Sequence, residues 1–356
     1  MIIGVHPDNN LGTSFSEKWI GFLKARGIEV KILNLLAGDF VEQASVCDGI
    51  MWRWFHLEQD KQSVKNILYV IEKYLGIPVF PDNDTAWHFD EKVSQWYLFK
   101  ALGVAQPETW IFWDKKTALD WAGTAHYPVI FKLSVGAGSS SVLKVKGESE
   151  AVALINRMFE RGIFPMTMNE FRHTVLPKTR SELKAAVKRP GDAIGYLLRN
   201  EYPALPKEWW KPEYGYVLFQ EFLPDNDFDT RVTIIGDRAF AFRRINRPGD
   251  FRASGSGNLD TNPEQIDKRC IQMAFEVARK GRFQTMAFDF LYKGGSPVVC
   301  EISYTFISSA VERCPGHWDS ELNWHDGRMW PEEAQVADFM VQVGDQTGRQ
   351  RVTDGD

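Results

Sequence analysis

Asp289 and Glu301 sit in two apolar, β-prone runs, Met286–Tyr292 and Pro297–Ser303, on either side of Lys293-Gly294-Gly295-Ser296. The spacing predicts a hairpin, and Pro297 stands at a strand start, where its missing donor is tolerated. A turn centred on Gly295 pairs Asp289 with Glu301. Two carboxylates facing each other repel in a bare sheet. A cation between them relieves the repulsion, and hard oxygen donors suit Mg²⁺. Ser303 follows Glu301 at the strand period of two and shares its face. On this reading the acids repel until metal binds, and amide substitution leaves the ligand-free protein as stable or more so. The alternative is a surface hairpin with solvated acids.

Other candidate groups are cationic. Lys92 stands in the first turn of a helix expected over 90–102, against the helix dipole. Lys132 ends an expected strand, 129–133, and is followed by Gly136, Gly138, Ser139, Ser140 and Ser141. Small residues let successive N–H groups approach phosphate oxygens, while a lysine adds charge. The lysine precedes the loop, so this is not a GxxxxGK[ST] P-loop, and a plain hairpin loop is the competing reading. The expected strand 216–222 carries Gln220, Glu221 and Phe222 and runs on to Leu223. Asp229-Thr230-Arg231 then precedes an expected strand, 232–235. Arg243, Arg244, Arg247 and Arg252 fall within ten residues of one another. Arginine forks match phosphate oxygens, and a solvated basic edge strand is the alternative.

The elements that position these groups are an alternation of strands (2–6, 29–33, 48–52, 77–80) with helices (14–26, 58–75). They imply a parallel α/β domain, with His6 and Asp8 at a strand's carboxyl end where ligands bind, or in a plain loop. Ser14 and Glu17 form a capping box. A second part mixes antiparallel strands with an amphipathic helix over 263–281, so the fold class is α/β and α+β. Residues 1–87, 88–215 and 216–343 are read as three segments, with an irregular insertion at 156–215. Loops rich in aromatics follow at 314–318 and 323–330. A last helix is expected over 331–343, and 344–356 reads as a disordered tail.

The chain has 356 residues, a net charge of -5 and a composition 44% hydrophobic and 25% charged, the profile of a globular protein of more than one domain. The charge balance gives no case for nucleic acid. No apolar run reaches the roughly 20 residues of a membrane span. The start MIIGVHPDNN lacks the pattern of a signal peptide. The four cysteines show no CxxC spacing, which points to reduced thiols and a cytoplasmic location.

Taken in order, these motifs resemble the ATP-grasp superfamily, and within it the carboxylate–amine ligases similar to glutathione synthetase and the ribosomal protein S6 glutamate ligase. The ordered set is a lysine at a helix start, a strand-ending lysine before a Gly-rich loop, Gln-Glu on a strand, Asp-x-Arg, clustered arginines, an Asp strand and Glu-Ile-Ser. It covers about residues 88–310. The resemblance implies an ATP-grasp fold behind an amino-terminal parallel α/β domain. It implies that Lys92 and Lys132 hold nucleotide phosphates under the loop of Gly136, Gly138, Ser139 and Ser140. Gln220, Glu221, Phe222 and Leu223 line the adenine edge, followed by Asp229 and Arg231. Arg243 or Arg244, and Arg252, steady the transferred phosphate, and Asp289, Glu301 and Ser303 hold Mg²⁺. Ser303 stands where the family usually has asparagine. The implied cofactors are ATP and Mg²⁺, and the implied activity joins a carboxylate to an amine through an acyl phosphate. Small-molecule carboxylate and amine substrates are the expected partners, and the family allows a homo-oligomer. The Glu-Ile-Ser strand and the aromatic tail are similar to ATP-grasp proteins of surface-polysaccharide synthesis, which suggests a sugar carboxylate or an amino acid as substrate. A decayed nucleotide-binding regulatory module and a phosphotransferase on the same fold are the alternative readings.

Overall fold

Ile2–His6 (β1), Glu29–Ile32 (β2), Gly49–Trp52 (β3) and Val79–Phe80 (β4) are short strands, apolar except for the charged edge strand β2, that pair in parallel in the order β2-β1-β3-β4. The helices between them are Phe15–Ala25 (α1), Phe40–Ser45 (α2) and Glu58–Tyr74 (α3), and Asn83–Ala86 (α4) follows β4. The computed structural model describes residues 1–8, 14–54, 56, 58–136, 141–165, 211–249, 251 and 257–353. It divides into two compact units: Met1–Phe55 with Asp60–Pro107 and Leu223–Asp356, and His56–Gln59 with Glu108–Phe222. Ser14 caps α1 as expected, its Oγ accepting the Glu17 N–H at 3.1 Å, which is the serine half of the expected capping box. Trp19 and Leu23 of α1 then bury against Ile3 and Val5. Helix α2 was not anticipated, because six residues are too few for a periodic signal.

The carboxyl end of β1 is tied down internally. The Asp8 carboxylate accepts from Phe15 N (2.9 Å), Ser14 Oγ (2.5 Å), Ser16 Oγ (2.6 Å) and Arg53 Nη1 (3.2 Å). His6 stacks on Trp52 at 4.1 Å, and its Nδ1 accepts the Leu35 N–H at 3.1 Å. Both side chains are thus spent on structure, the plainer of the two sequence readings.

The second unit is built on Thr109–Phe112 (β5), Val129–Lys132 (β6), Val142–Val145 (β7) and Val217–Glu221 (β8), in the order β5-β8-β6-β7. Lys115–Ala122 (α6) and Glu148–Glu160 (α7) belong to it, while Lys92–Leu102 (α5) belongs to the first unit. The sheet has one apolar face: Phe219 stacks on Trp121 of α6 at 4.7 Å and touches Phe131 at 5.7 Å. Strand β8 pairs on both sides, with β5 and β6, and so falls in this unit, whereas the sequence segmentation grouped it with 216–343.

In the first unit, Phe228–Ile235 (β9), Arg238–Ile245 (β10), Leu259–Asp260 (β11), Thr285–Lys293 (β12), Ser296–Ser303 (β13), Gly316–Trp318 (β14) and Trp324–Asp326 (β15) form an antiparallel sheet. Its order is β13-β12-β9-β10-β14-β15, with β11 also on β10. Lys268–Gly281 (α8) buries Cys270, Ile271, Ala274 and Phe275. The helix expected from Pro263 is broken, because Asp267 caps a fresh start at Lys268. Ser308–Glu312 (α9) precedes β14, and Pro331–Thr353 (α10) ends the chain. The loops expected at 314–330 thus contain a hairpin, its ladder set by His317 against His325. Helix α10 runs on past Val343, and Gln346 Nε2 donates to Gly76 O at 3.1 Å, which corrects the disordered tail expected from 344.

His88, after α4, is fully buried between Trp87 and Phe283, and neither ring nitrogen has a hydrogen-bond partner among the described residues. Burial pushes its pKa down to about 3. The folded protein therefore keeps His88 neutral at pH values where the unfolded chain, with an ordinary pKa near 6.5, binds a proton. The stability it preserves is complete above pH ~6.5 and falls as the pH drops toward ~3. Urea unfolding of His88→Phe at pH 7 and pH 5 should show a smaller acid loss than wild type, by about 2 kcal/mol. Equal losses would overturn this account.

Candidate active site

Strands β12, β9 and β10 bring together residues far apart in sequence. Asp289 on β12 lies opposite Arg231 on β9, and Asp229 on β9 lies opposite Arg244 on β10. Arg231 donates from Nε to Asp289 Oδ1 (2.6 Å) and from Nη2 to Oδ2 (2.8 Å), a bidentate fork. Arg244 Nη2 also reaches Asp289 Oδ2 at 2.8 Å, and its Nε donates to Asp229 Oδ1 at 2.7 Å. Burial pushes the Asp289 pKa up, but Arg231 and Arg244 outweigh it and hold the carboxyl well below the usual range. Burial also disfavours the Arg244 cation, and Asp289 and Asp229 more than offset that.

Asp289 and Glu301 are paired across the hairpin as the sequence suggests, by a different route. Gly294 and Gly295 both have positive φ (56° and 78°) and form the two-residue loop closed by Lys293 and Ser296. The turn is therefore centred between the glycines, which by itself would set Asp289 opposite Cys300. A bulge at Cys300 shifts the register and restores Glu301 to that position. The expected repulsion is absent, because each acid has its own cation. Glu301 Oε1 pairs with Lys92 Nζ at 3.2 Å. Burial lowers the Lys92 pKa, but Glu301 and Asp90 overcome it and raise the pKa. The expectation that amide substitution would leave the nucleotide-free protein equally or more stable is thereby corrected for Asp289.

Two residues near Lys92 escaped the sequence reading. Asp90 adopts a left-handed conformation (φ 54°), uncommon for a side chain with a Cβ, and its carboxylate pairs with buried Lys61 at 3.2 Å. Only the acid just before the helix start hinted at it. The second unit's sheet mixes polar and apolar residues on the side away from α6. Lys132 lies opposite Leu218 and Val142, and Gln220 and Lys144 lie opposite Ile130, so all share one face. Gln220 Nε2 donates to Thr109 Oγ1 at 2.9 Å, and Lys144 Nζ sits 3.4 Å over the Phe222 ring. Glu221 turns to the chain itself, accepting the Glu108 N–H at 2.8 Å. Leu223 opens the return to the first unit. Gly136 has φ 115°, a conformation suited to glycine, and begins the expected phosphate loop. Gly138, Ser139, Ser140 and Arg252 lie outside the described residues.

The arginines now separate. Arg243 pairs with Asp260 (Nε to Oδ2, 3.1 Å), and Arg244 is buried among carboxylates, so acids of the sheet engage both expected phosphate ligands in this structure. Asp229 accepts from Arg244 Nε. Ser303 Oγ donates to Thr305 O at 2.7 Å, leaving its lone pairs available. Asp289 Oδ1 takes one hydrogen bond and Glu301 is about a third exposed, so the oxygen set fits Mg²⁺. Among the described residues no group of three or more His, Cys, Asp or Glu could hold a metal. Two carboxylates completed by substrate phosphates are the usual Mg²⁺ pattern.

Asp229→Asn removes one of the two charges that compensate Arg244. It should destabilise the nucleotide-free protein by about 3 kcal/mol, the range for a broken buried pair. Asp260→Asn, at a more exposed pair, should cost under about 1 kcal/mol. Chemical denaturation giving equal midpoints for both would overturn the distinction.

Residues 213–314 match the RimK-like ATP-grasp domain family. No curated protein matches the chain. Among solved structures, a RimK domain ATP-grasp protein from Sphaerobacter thermophilus is 15% identical, with a TM-score of 0.55 over 95% of this chain and 99% of that one. D-alanine–D-alanine ligase from Bacillus anthracis, complexed with ATP, is 11% identical (TM-score 0.54, 99% of both chains). N5-carboxyaminoimidazole ribonucleotide synthetase from Thermotoga maritima is 13% identical (TM-score 0.57, 95% of this chain and 75% of that one). The chain has the ATP-grasp fold, and residues 213–314 are similar to the RimK-like ATP-grasp domain.

Proposed function

We propose that this protein is an ATP-dependent ligase that joins a carboxylate to an amine. The observation that carries the reading is the buried Lys92 ammonium on partly exposed Glu301, directly across the hairpin from Asp289 and its Arg231 fork. Placing a lysine in such surroundings costs desolvation energy, which a phosphate-binding role accounts for. A carboxylate is a poor electrophile. Transfer of the ATP γ-phosphoryl group to it gives an acyl phosphate, which the amine attacks with release of phosphate. Such transfer needs positioning and charge neutralisation rather than a protein nucleophile. Lys92 and Lys132 hold phosphates in this scheme. Gln220, Phe222 and Leu223 take the base, and Arg231 and Arg252 steady the transferred group. Asp289, Glu301 and Ser303 hold Mg²⁺, which when bound supplies further charge neutralisation. Solved structures of similar fold support nucleotide use, since one is of a D-alanine–D-alanine ligase with ATP and one of the ligase PsnB with Mg and ADP. The substrate carboxylate is a sugar acid or an amino acid. A decayed, non-ligating module is disfavoured by the retention of Lys92, Lys132, Asp289 and Glu301.

Phosphate release on incubation with ATP, Mg²⁺ and paired carboxylates and amines tests the reading. No release across such a screen, with ATP bound, would sink it. Lys132→Ala should weaken ATP binding by about 1.5–3 kcal/mol, the range for hydrogen bonds to charged groups, as measured by calorimetry. Arg252→Ala should lower kcat strongly with nucleotide affinity nearly intact, since interactions made in the transition state show in turnover. If Arg252→Ala only weakened ATP binding, its role would be that of a nucleotide ligand.

A further inference from the structure

The parallel sheet has two unlike edges. β4 is two buried residues, preceded by Pro78 and followed by Pro81. β2 is longer, and among the described residues it pairs only with β1. Leu33 N donates to Val5 O at 3.0 Å. Backbone groups alternate along a strand, so Glu29, Lys31 and Leu33 spend theirs on β1, while Val30 and Ile32 point theirs outward. An edge of this kind is a template for another strand; charged side chains and proline are the usual blunting devices, and charge opposes self-pairing only where like charges meet. Here the edge carries Glu29 and Lys31, opposite in sign and both exposed, around Val30.

That arrangement is self-complementary. Turned antiparallel about Val30, the strand sets Val30 against Val30 of a second copy, Glu29 against its Lys31 and Ile28 against its Ile32. Shifting the two-fold to Glu29 or to Lys31 puts identical charges directly opposite each other, which is destabilising. Only the Val30 register matches opposite charges, and in it the outward groups of Val30 face each other as a hydrogen-bonded pair. The same register lines up Ile28, Val30 and Ile32 from both copies on one face. Ile32 is 58% exposed in the single chain. Phe22 of α1 packs on the same cluster as Ile28 and Val30, so the helices of both copies would flank that row.

We propose that the chain forms a two-fold dimer through antiparallel pairing of β2 with β2 of a second copy, giving one sheet continuous through both. The surface lies away from Lys92, Asp289 and Glu301 in the chain, and the proposal does not rest on the ligase reading. The test is sedimentation velocity of the full chain over a micromolar to hundred-micromolar series. Wild type should dimerise. Glu29→Lys and Lys31→Glu each set like charges opposite at two places and should weaken association by roughly tenfold or more. The double variant restores both pairs with signs reversed and should recover dimerisation. Hydrogen exchange at the Val30 and Ile32 amides of wild type should slow as concentration rises, a readout independent of variant folding. A monomeric wild type, a dimer indifferent to both single changes, or Val30 and Ile32 exchange independent of concentration would each overturn the proposal.

Discussion

The carboxylate of Asp289 is held by two guanidiniums at once, and much of the first unit is arranged so that this is possible. A buried acid in an antiparallel sheet needs compensation of both charge and hydrogen bonds. Arg231 supplies it from the next strand, and Arg244 from one strand further on. Arg244 in turn needs Asp229, so the four groups close into a neutral set across β12, β9 and β10. The set restricts register. A one-residue slip of β12 against β9 would turn Asp289 to the opposite face, where Phe288 and Phe290 pack into the core. The ionic set and the apolar face therefore specify the same pairing from opposite sides of the sheet.

This account explains why some roles were legible in the sequence and others were not. Asp289 and Glu301 could be matched because a hairpin is local, even though the turn lies half a position from Gly295, which moves each partner by one residue, and a bulge at Cys300 made up the difference. The partners of Arg243 and Arg244 could not be found in this way. Both arginines read as anion ligands from their neighbours in sequence. Their actual partners, Asp260, Asp229 and Asp289, are assigned only once the order β12-β9-β10 and the return of β11 are known. Period-two alternation separates Arg243 from Arg244, but it cannot say which face is buried. The same holds in the second unit. Lys132 was visible because a strand-ending lysine before a glycine-rich loop is a local pattern. Lys144 became notable only when β6 and β7 were paired.

Local chemistry also decided the elements. Ser14 caps α1, and Gly103 ends α5 in a left-handed conformation. These ends were readable because caps and terminators act over three or four residues. The extension of α10 past Val343 was not, because Gly344 and a charged tail favour fraying. What holds that region is a contact with Gly76, remote in sequence.

The two sheets of the first unit are coupled at the end of β13. Ser303 donates to the carbonyl of Thr305, whose hydroxyl accepts from Arg53 Nε at 2.6 Å, and Arg53 also pairs with Asp8. Trp54 and Tyr304 add reciprocal hydrogen bonds, Trp54 N to the Tyr304 hydroxyl and that hydroxyl to Trp54 O. The strand that carries Glu301 is therefore fixed to the parallel sheet within a few residues of the acid. A hydroxyl at 303 suits this arrangement. Its proton goes to the Thr305 carbonyl, so the residue that shares the Glu301 face is held by the same Thr305–Arg53–Asp8 tie that joins the two sheets.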